Sequence, residues 1–195
     1  MLCVRPEREG DAAAIRRVVY AAFEHHTAIT EHRIVDALRQ DGALSVSLVA
    51  VEAIESGDGE VVGHVALSPV QVDGNACGWY GLGPVAVRPD RQGRGYGKML
   101  VARAIEEARG SLAAAGLVVL GEPAFYGKWF GFATLEGLTL EGVPADHFMG
   151  LCLLPPHEDH EGRISSADDG TTVVARTAPP CPVGKVTFHP GFSLS

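Results

Sequence analysis

The sequence predicts a mixed α+β fold: a largely antiparallel central sheet containing one parallel strand pair, helices on both faces, and a short C-terminal extension. Three observations carry this. Strand-like segments over residues 44–54, 61–72 and 79–87 follow one another through the turn signals Ser56-Gly57-Asp58-Gly59 and Asp73-Gly74, as an antiparallel meander does. The third segment then passes through a glycine-rich turn into a helix and on to the apolar stretch 117–120. A crossover of that length makes the two flanking strands parallel. At 195 residues, 46% hydrophobic and 21% charged, the chain has enough apolar material for one complete core.

Taken in order, residues 2–5 open the sheet, and Gly10-Asp11 precedes a helix over 11–25. Its Ala14, Ile15, Val18, Val19, Ala22 and Phe23 recur at helical spacing. A second short helix over 31–38 carries Ile34, Val35 and Leu38 on one face, until Asp41-Gly42 breaks it. After the glycine turn, Leu100, Ala104, Ala108, Leu112 and Ala115 form an i, i+4 stripe, while Arg103, Glu106, Glu107 and Arg109 lie on other faces. That helix is half-buried, and Gly116 is expected to stop it. Between residues 157 and 170, Glu158, Asp159, Glu161, Asp168 and Asp169 face only Arg163, and Pro179, Pro180 and Pro182 continue the loop character. Residues 183–188 then return as a strand. The expected organisation is one main domain over 1–154, with an extension over 155–195 that holds an acidic loop and packs on the same domain.

The densest chemical signal is the turn Arg91-Gln92-Gly93-Arg94-Gly95-Tyr96-Gly97-Lys98. Alternating glycines remove side chains where backbone N–H groups can converge on an anion, and the following helix adds the positive end of its dipole. Arg88, Arg91, Arg94 and Lys98 stand against Asp90 in this stretch, in a chain of formal net charge −8. A basic island in an acidic protein suits a small anionic ligand. Nucleic acid as a partner is disfavoured, because it wants basic residues spread along a face and a basic domain, whereas the pI here is about 5.4.

Known phosphate motifs can be tested against the spacing. A P-loop fails because Gln92 stands where its first glycine belongs and Met99 where Ser or Thr should reach magnesium. A dinucleotide fingerprint fails because the spacing is G-x-G-x-G, and no acidic residue ends a second strand about 20 residues later. The pattern Gln92-x-x-Gly95-x-Gly97, after Val85-Ala86-Val87 and before a long helix, resembles the acyl-CoA pyrophosphate loop of the GCN5-related N-acetyltransferase (GNAT) superfamily. Three further blocks are similar to its YhbS-like group: Gly63-His64-Val65-Ala66-Leu67-Ser68-Pro69-Val70, Gly81-Leu82-Gly83-Pro84-Val85-Ala86-Val87, and Leu120-Gly121-Glu122-Pro123-Ala124-Phe125-Tyr126-Gly127 with Phe130-Gly131-Phe132. The resemblance covers roughly residues 2–154, and Phe188-His189-Pro190-Gly191-Phe192 is similar to the group's ending.

The resemblance implies a GNAT fold in which the parallel strands splay apart and the pantetheine arm of acetyl-CoA pairs with strand backbone at Val85, Ala86 and Val87. It implies that Gln92, Gly93, Arg94, Gly95, Tyr96, Gly97 and Lys98 hold the pyrophosphate. The activity it implies is acetyl transfer from acetyl-CoA to a primary amine, on a small molecule or a protein. An acyl-CoA-binding sensor with little or no catalysis is the alternative. The departing thiolate needs an acid, and the family's tyrosine falls on Tyr126. Its ring could equally be aromatic packing. In the family this tyrosine lies four residues before the glycine of the Phe-Gly-Phe turn, whereas Tyr126 lies five before Gly131. One extra residue rotates a helix by roughly 100°. Because the preceding block anchors its start, Tyr126 is expected in its usual place, with Trp129 bulging.

Glu122, at the strand end before Pro123, serves as base or amine-binding carboxylate, or as an ordinary helix-end acid. His25, His26 and His32 flank the first two helices and are further candidate bases. His64 sits mid-strand, where packing is the simpler role. Trp79 and Tyr80 either shape the acceptor site or bury apolar area. Cys3, Cys77, Cys152 and Cys181 are widely separated and form no C-x-x-C pair, so no metal site and four free thiols are expected. The start Met-Leu-Cys-Val-Arg-Pro-Glu lacks a signal-peptide pattern and apolar runs are short, which points to the cytoplasm and away from membranes. A homodimer is allowed.

Overall fold

The computed structural model describes residues 2–24, 31–53, 59–153 and 181–193. His25, His26, the turn residues Ser56, Gly57 and Asp58, and the acidic stretch 157–170 lie outside the described residues. In chain order the elements are β1 (Leu2–Pro6), α1 (Ala12–Phe23), α2 (Glu31–Gln40), β2 (Val46–Glu52), β3 (Glu60–Val72), β4 (Asn75–Val87), α3 (Tyr96–Gly110), β5 (Gly116–Leu120), α4 (Pro123–Phe130), β6 (Leu138–Thr139), β7 (Phe148–Cys152) and β8 (Gly184–Thr187).

The sheet runs β1-β2-β3-β4-β5-β7. Along that path every neighbouring pair is antiparallel except β4 and β5, as the crossover through α3 requires. β8 adds an antiparallel contact to the far end of β3 and a two-residue parallel contact to β6. Side chains alternate across β2, and this sorts the helices to opposite faces. Leu48 and Ala50 pack with Leu100, Val101 and Ala104 of α3, and Phe125 and Tyr126 of α4 rest on the same cluster. Val49 and Val51 pack with Ile15, Val18 and Val19 of α1 and Val35 of α2. A third cluster joins Trp79, Val118, Phe148 and Val186 near the C-terminal strands.

The feature that positions the site is the end of the β4–β5 pairing. Register runs Trp79↔Gly116, Tyr80↔Leu117 and Gly81↔Val118, and stops there. β4 continues through Leu82 to Val87 bonded only to β3, while Val119 and Leu120 of β5 pair only with β7. Pro84 offers no N–H to a neighbouring strand, which suits a segment that leaves the ladder. The splay implied by the family resemblance is therefore present, and it opens a wedge between β4 and β5.

Two expectations are corrected. The α3 helix ends at Gly110, not at Gly116, because Ala113 adopts φ 46 in the turn that follows. Gly116 instead begins β5 flat against Trp79, where a Cβ would stand 2.5 Å from the indole. Nor are all four cysteines free. Cys152, ending β7, is disulfide-bonded to Cys181 ahead of β8, with Cα atoms 6.8 Å apart, while Cys3 and Cys77 are free. Sequence spacing carries no sign of this pairing, because the β7–β8 geometry that creates it is tertiary.

Candidate active site

Beyond Val87 the chain makes a short 3-10 turn at Pro89–Arg91 and enters α3 through Gly95, which has φ 84. No side chain caps this helix. The first helical bond runs from Met99 N–H to the Gly95 carbonyl. The N–H groups of the preceding first-turn residues have no intrahelical partner and face outward. A Cβ at Gly93 or Gly95 would meet no protein atom within 4 Å, and one at Gly97 would make only ordinary contacts at 3.8 Å with Phe125 and Val87. The space over these glycines is not filled by the protein.

The turn is braced from beneath. Gln92 Nε2 donates to the Val87 carbonyl at 3.0 Å. The Tyr96 hydroxyl donates to Glu52 Oε1 at 2.6 Å, and Arg91 Nε to Glu52 Oε2 at 2.7 Å. These two donors hold the Glu52 carboxyl below its ordinary range. Arg88 is engaged by Asp90 and Glu60, and Arg91 also reaches Asp90 at 2.6 Å. Much of the basic island is thus neutralised locally. Arg94 is exposed, with Nη1 3.9 Å from Glu52, and Lys98 Nζ sits 3.1 Å over the Trp129 ring.

A cavity of about 470 Å³ lies over this turn. Its lining includes Val85, Val87, Gln92, Gly93, Gly95, Tyr96, Gly97 and Lys98, named from the sequence for the donor, and Tyr126, named as the acid, with Arg91 and Phe125 in addition. Ala86 alternates to the opposite face, where it is buried against α1, so its side chain is not in the lining. The Arg94 side chain is also outside it. Phe125 had no sequence signal beyond the family block, and Glu52 had none at all, since it reaches the turn from a distant strand.

A second cavity, about 960 Å³, opens on the other side of the wedge. Val85 and Tyr126 line both. Tyr126 is held by edge contacts to Phe125 at 4.9 Å and Phe132 at 5.8 Å. Its ring lies over Gly121, where a Cβ would stand 2.4 Å from Cε2, so any larger residue there would push the tyrosine aside. Burial pushes the Tyr126 hydroxyl up to about 12, which keeps it protonated at neutral pH. The expected bulge at Trp129 is absent. Helix α4 runs unbroken to Phe130 and ends on Gly131 at φ 77, with Trp129 53% exposed on its outer side.

Glu122 is the N-cap of α4, accepting from Ala124 N–H at 3.4 Å, and it also lines the larger cavity. Helix-end acid and cavity carboxylate are therefore both true of it. His32 lines neither cavity and packs edge-on against Tyr20 at 5.6 Å. His64 is fully buried, with Nε2 2.9 Å from Ser47 Oγ, and burial lowers it to about 3. Trp79 is buried in the third core cluster and Tyr80 packs on the first, which answers to the packing role for both. No group of three or more metal-ligating side chains occurs among the described residues.

A sheet parted at its parallel pair, a helix end aimed into the gap and two cavities meeting at one tyrosine define a domain that brings two ligands together for group transfer. The match of residues 14–132 to the acetyltransferase (GNAT) family identifies which one, and the chain belongs to that family. It is 35% identical over 131 residues to the uncharacterized N-acetyltransferase YhbS of Escherichia coli K12, an alignment covering 67% of this chain and 73% of that relative. The crystal structure of Escherichia coli YhbS in complex with CoA superposes with TM-score 0.77 at 29% identity, covering 98% of this chain and 92% of that one. A GNAT family acetyltransferase from Brucella melitensis in complex with acetyl-CoA superposes with TM-score 0.74 at 36% identity, over 98% of both chains.

Proposed function

We propose that this chain is an acetyl-CoA-dependent N-acetyltransferase that passes the acetyl group directly to a primary amine. The observation that carries the reading is the meeting of the two cavities at Val85 and Tyr126, where β4 and β5 have parted. The smaller cavity takes the donor. First-turn N–H groups of α3 and the open space over Gly93, Gly95 and Gly97 receive the pyrophosphate, with Lys98 and Arg94 adding charge at the mouth. The pantetheine arm follows the backbone of Val85, Ala86 and Val87, which has no second strand partner, and this sets the thioester beside Tyr126.

The reaction forms a C–N bond and breaks a C–S bond. The amine must lose a proton and the departing thiolate must gain one. An alkyl amine, with reference pKa near 10.4, arrives protonated at neutral pH. Glu122, on the acceptor side, attracts this ammonium and accepts its proton directly or through water. Tyr126, protonated throughout the neutral range, donates to the thiolate sulfur. A purely acyl-CoA-binding sensor does not need a second cavity that reaches the same tyrosine, which favours the enzyme. No helix among the described residues is long and apolar enough to cross a membrane, and the cytoplasm is the proposed setting.

Thiol release from acetyl-CoA, measured across amine classes with the native chain and Tyr126→Phe, tests this. The expected result is amine-dependent release that falls about a hundredfold in the variant, while acetyl-CoA affinity by calorimetry stays unchanged. Unchanged kcat in Tyr126→Phe would remove the tyrosine from the chemistry, and release in no amine would favour the binding module.

A further inference from the structure

The larger cavity differs in chemistry from the donor site. Its volume, about 960 Å³, is at the upper end of small-ligand pockets. Its walls are mostly apolar, and besides Tyr126 the described lining holds three phenylalanines: Phe23 at the end of α1, and Phe188 and Phe192 after β8. The last two rings are 5.1 Å apart and tilted by 48°. Leu120 closes another side. It is 51% exposed, although the four preceding residues of β5 are buried, because β4 has already parted from β5 at this point. Among the described residues the charged lining consists of Glu31, Glu122, Glu141 and Lys185, three carboxylates against one ammonium, and Lys185 is paired with Glu141. Glu122 belongs to the reacting end, one helical turn before Tyr126, whose N–H donates to the Glu122 carbonyl at 3.1 Å.

We infer that the acceptor is a small molecule carrying one primary amine on an aromatic body. This rests on the proposed N-acetyltransferase reading and adds the substrate class. The ammonium sits at the Glu122 and Tyr126 end, where the acetyl group arrives. The ring lies against the wall formed by the contacting Phe188 and Phe192 and covers Leu120, where apolar area leaves water and aromatic rings can meet edge to face. A polyamine fits less well, because beyond Glu122 the carboxylates of the described lining are Glu31 and the Lys185-paired Glu141, so a row of ammonium groups would lie largely against apolar walls. A polyhydroxylated amine fits no better. Apart from the charged groups, the side chains of the described lining offer only the hydroxyls of Thr187 and Tyr126, so most sugar hydroxyls would lack side-chain partners.

The test is calorimetric binding of 2-phenylethylamine, spermidine and kanamycin to the CoA-loaded protein, in the native chain, Leu120→Lys and Leu120→Met. Position 120 is half exposed at a strand end, so both variants fold. 2-Phenylethylamine is expected to bind at least about tenfold more tightly than either other amine. Leu120→Lys, which strips apolar cover and adds a repelling charge, should weaken it by about tenfold or more, while Leu120→Met and the affinity for CoA stay close to native. Equal or tighter binding of spermidine or kanamycin overturns the inference, as does a Leu120→Lys variant with native affinity. Absence of 2-phenylethylamine binding to a protein that does bind CoA overturns the acceptor class and leaves the donor reading standing. Absence of CoA binding overturns both.

Discussion

Gly97→Ala separates the ligand-binding account of the glycine turn from a purely structural one. Gly97 is the second residue of α3 and lies in ordinary helical conformation, so its backbone does not demand glycine. A Cβ there would stand 3.8 Å from Phe125 Cζ and 3.8 Å from Val87 Cγ2, which is comfortable contact. For the fold alone, alanine is the better residue. Removing glycine from a helix stabilises by roughly 0.5–1 kcal/mol, the lower end applying near a terminus, and raises Tm by roughly 1–2 °C in a chain of this size. The methyl group, however, projects into the donor cavity where the pyrophosphate must approach the first-turn N–H groups. Crowding of that kind costs about 1–3 kcal/mol, or roughly tenfold to a hundredfold in Kd. Thermal unfolding of the ligand-free protein and calorimetric titration with acetyl-CoA read the two effects separately. Opposite signs are expected: a more stable protein with weaker binding. Native affinity would refute the reasoning, since the turn would then be holding nothing. Gly95→Val is less informative, because at φ 84 it combines backbone strain with obstruction.

Two other predictions concern stability. His64 is held neutral in the fold, so below pH 6.5 the unfolded chain takes up a proton that the folded one refuses. Stability should therefore fall on acidification from pH 6.5 toward 3, by up to about 1.4 kcal/mol per pH unit from this group. Urea unfolding of His64→Gln should show a flatter dependence between pH 7 and 5, and identical slopes would contradict the assignment. The Cys152–Cys181 bond, with sequence separation 29, closes a loop worth about 3.6 kcal/mol on chain-entropy grounds, or roughly 7–14 °C in Tm. Scanning calorimetry of Cys152→Ser, and of the native chain with reductant, should show that drop; an unchanged Tm would mean that the bond does not form in solution.

Much of the cavity proposed for the donor was legible in the sequence because its lining is local. The alternation of Gly93, Gly95 and Gly97, the strand before them and the helix after them occupy one short stretch, and local spacing fixes their geometry. The basic residues misled in part, because their partners Glu52 and Glu60 lie on other strands and neutralise Arg91 and Arg88. The cavity proposed for the acceptor was hardly legible. Its walls come from α1, α2, the tip of β5 and the residues around β8, which no sequence window brings together. Helix ends failed for a similar reason: the stripe through Leu112 and Ala115 continues the helical period, yet the turn at Ala113 ends α3 early so that Gly116 can lie flat under Trp79. The disulfide and the absence of a Trp129 bulge likewise depend on packing between distant elements, Lys98 against Trp129 among them.

The most direct test of direct acetyl transfer at the junction of two cavities is an initial-rate matrix varying acetyl-CoA and 2-phenylethylamine, with the N-acetyl product identified by mass spectrometry. The account predicts intersecting double-reciprocal lines and one free CoA thiol for each N-acetylated amine, because both ligands must occupy their cavities before Tyr126 can act. Parallel lines, the mark of a covalent acetyl-enzyme, or thiol release without acetylated amine would contradict it.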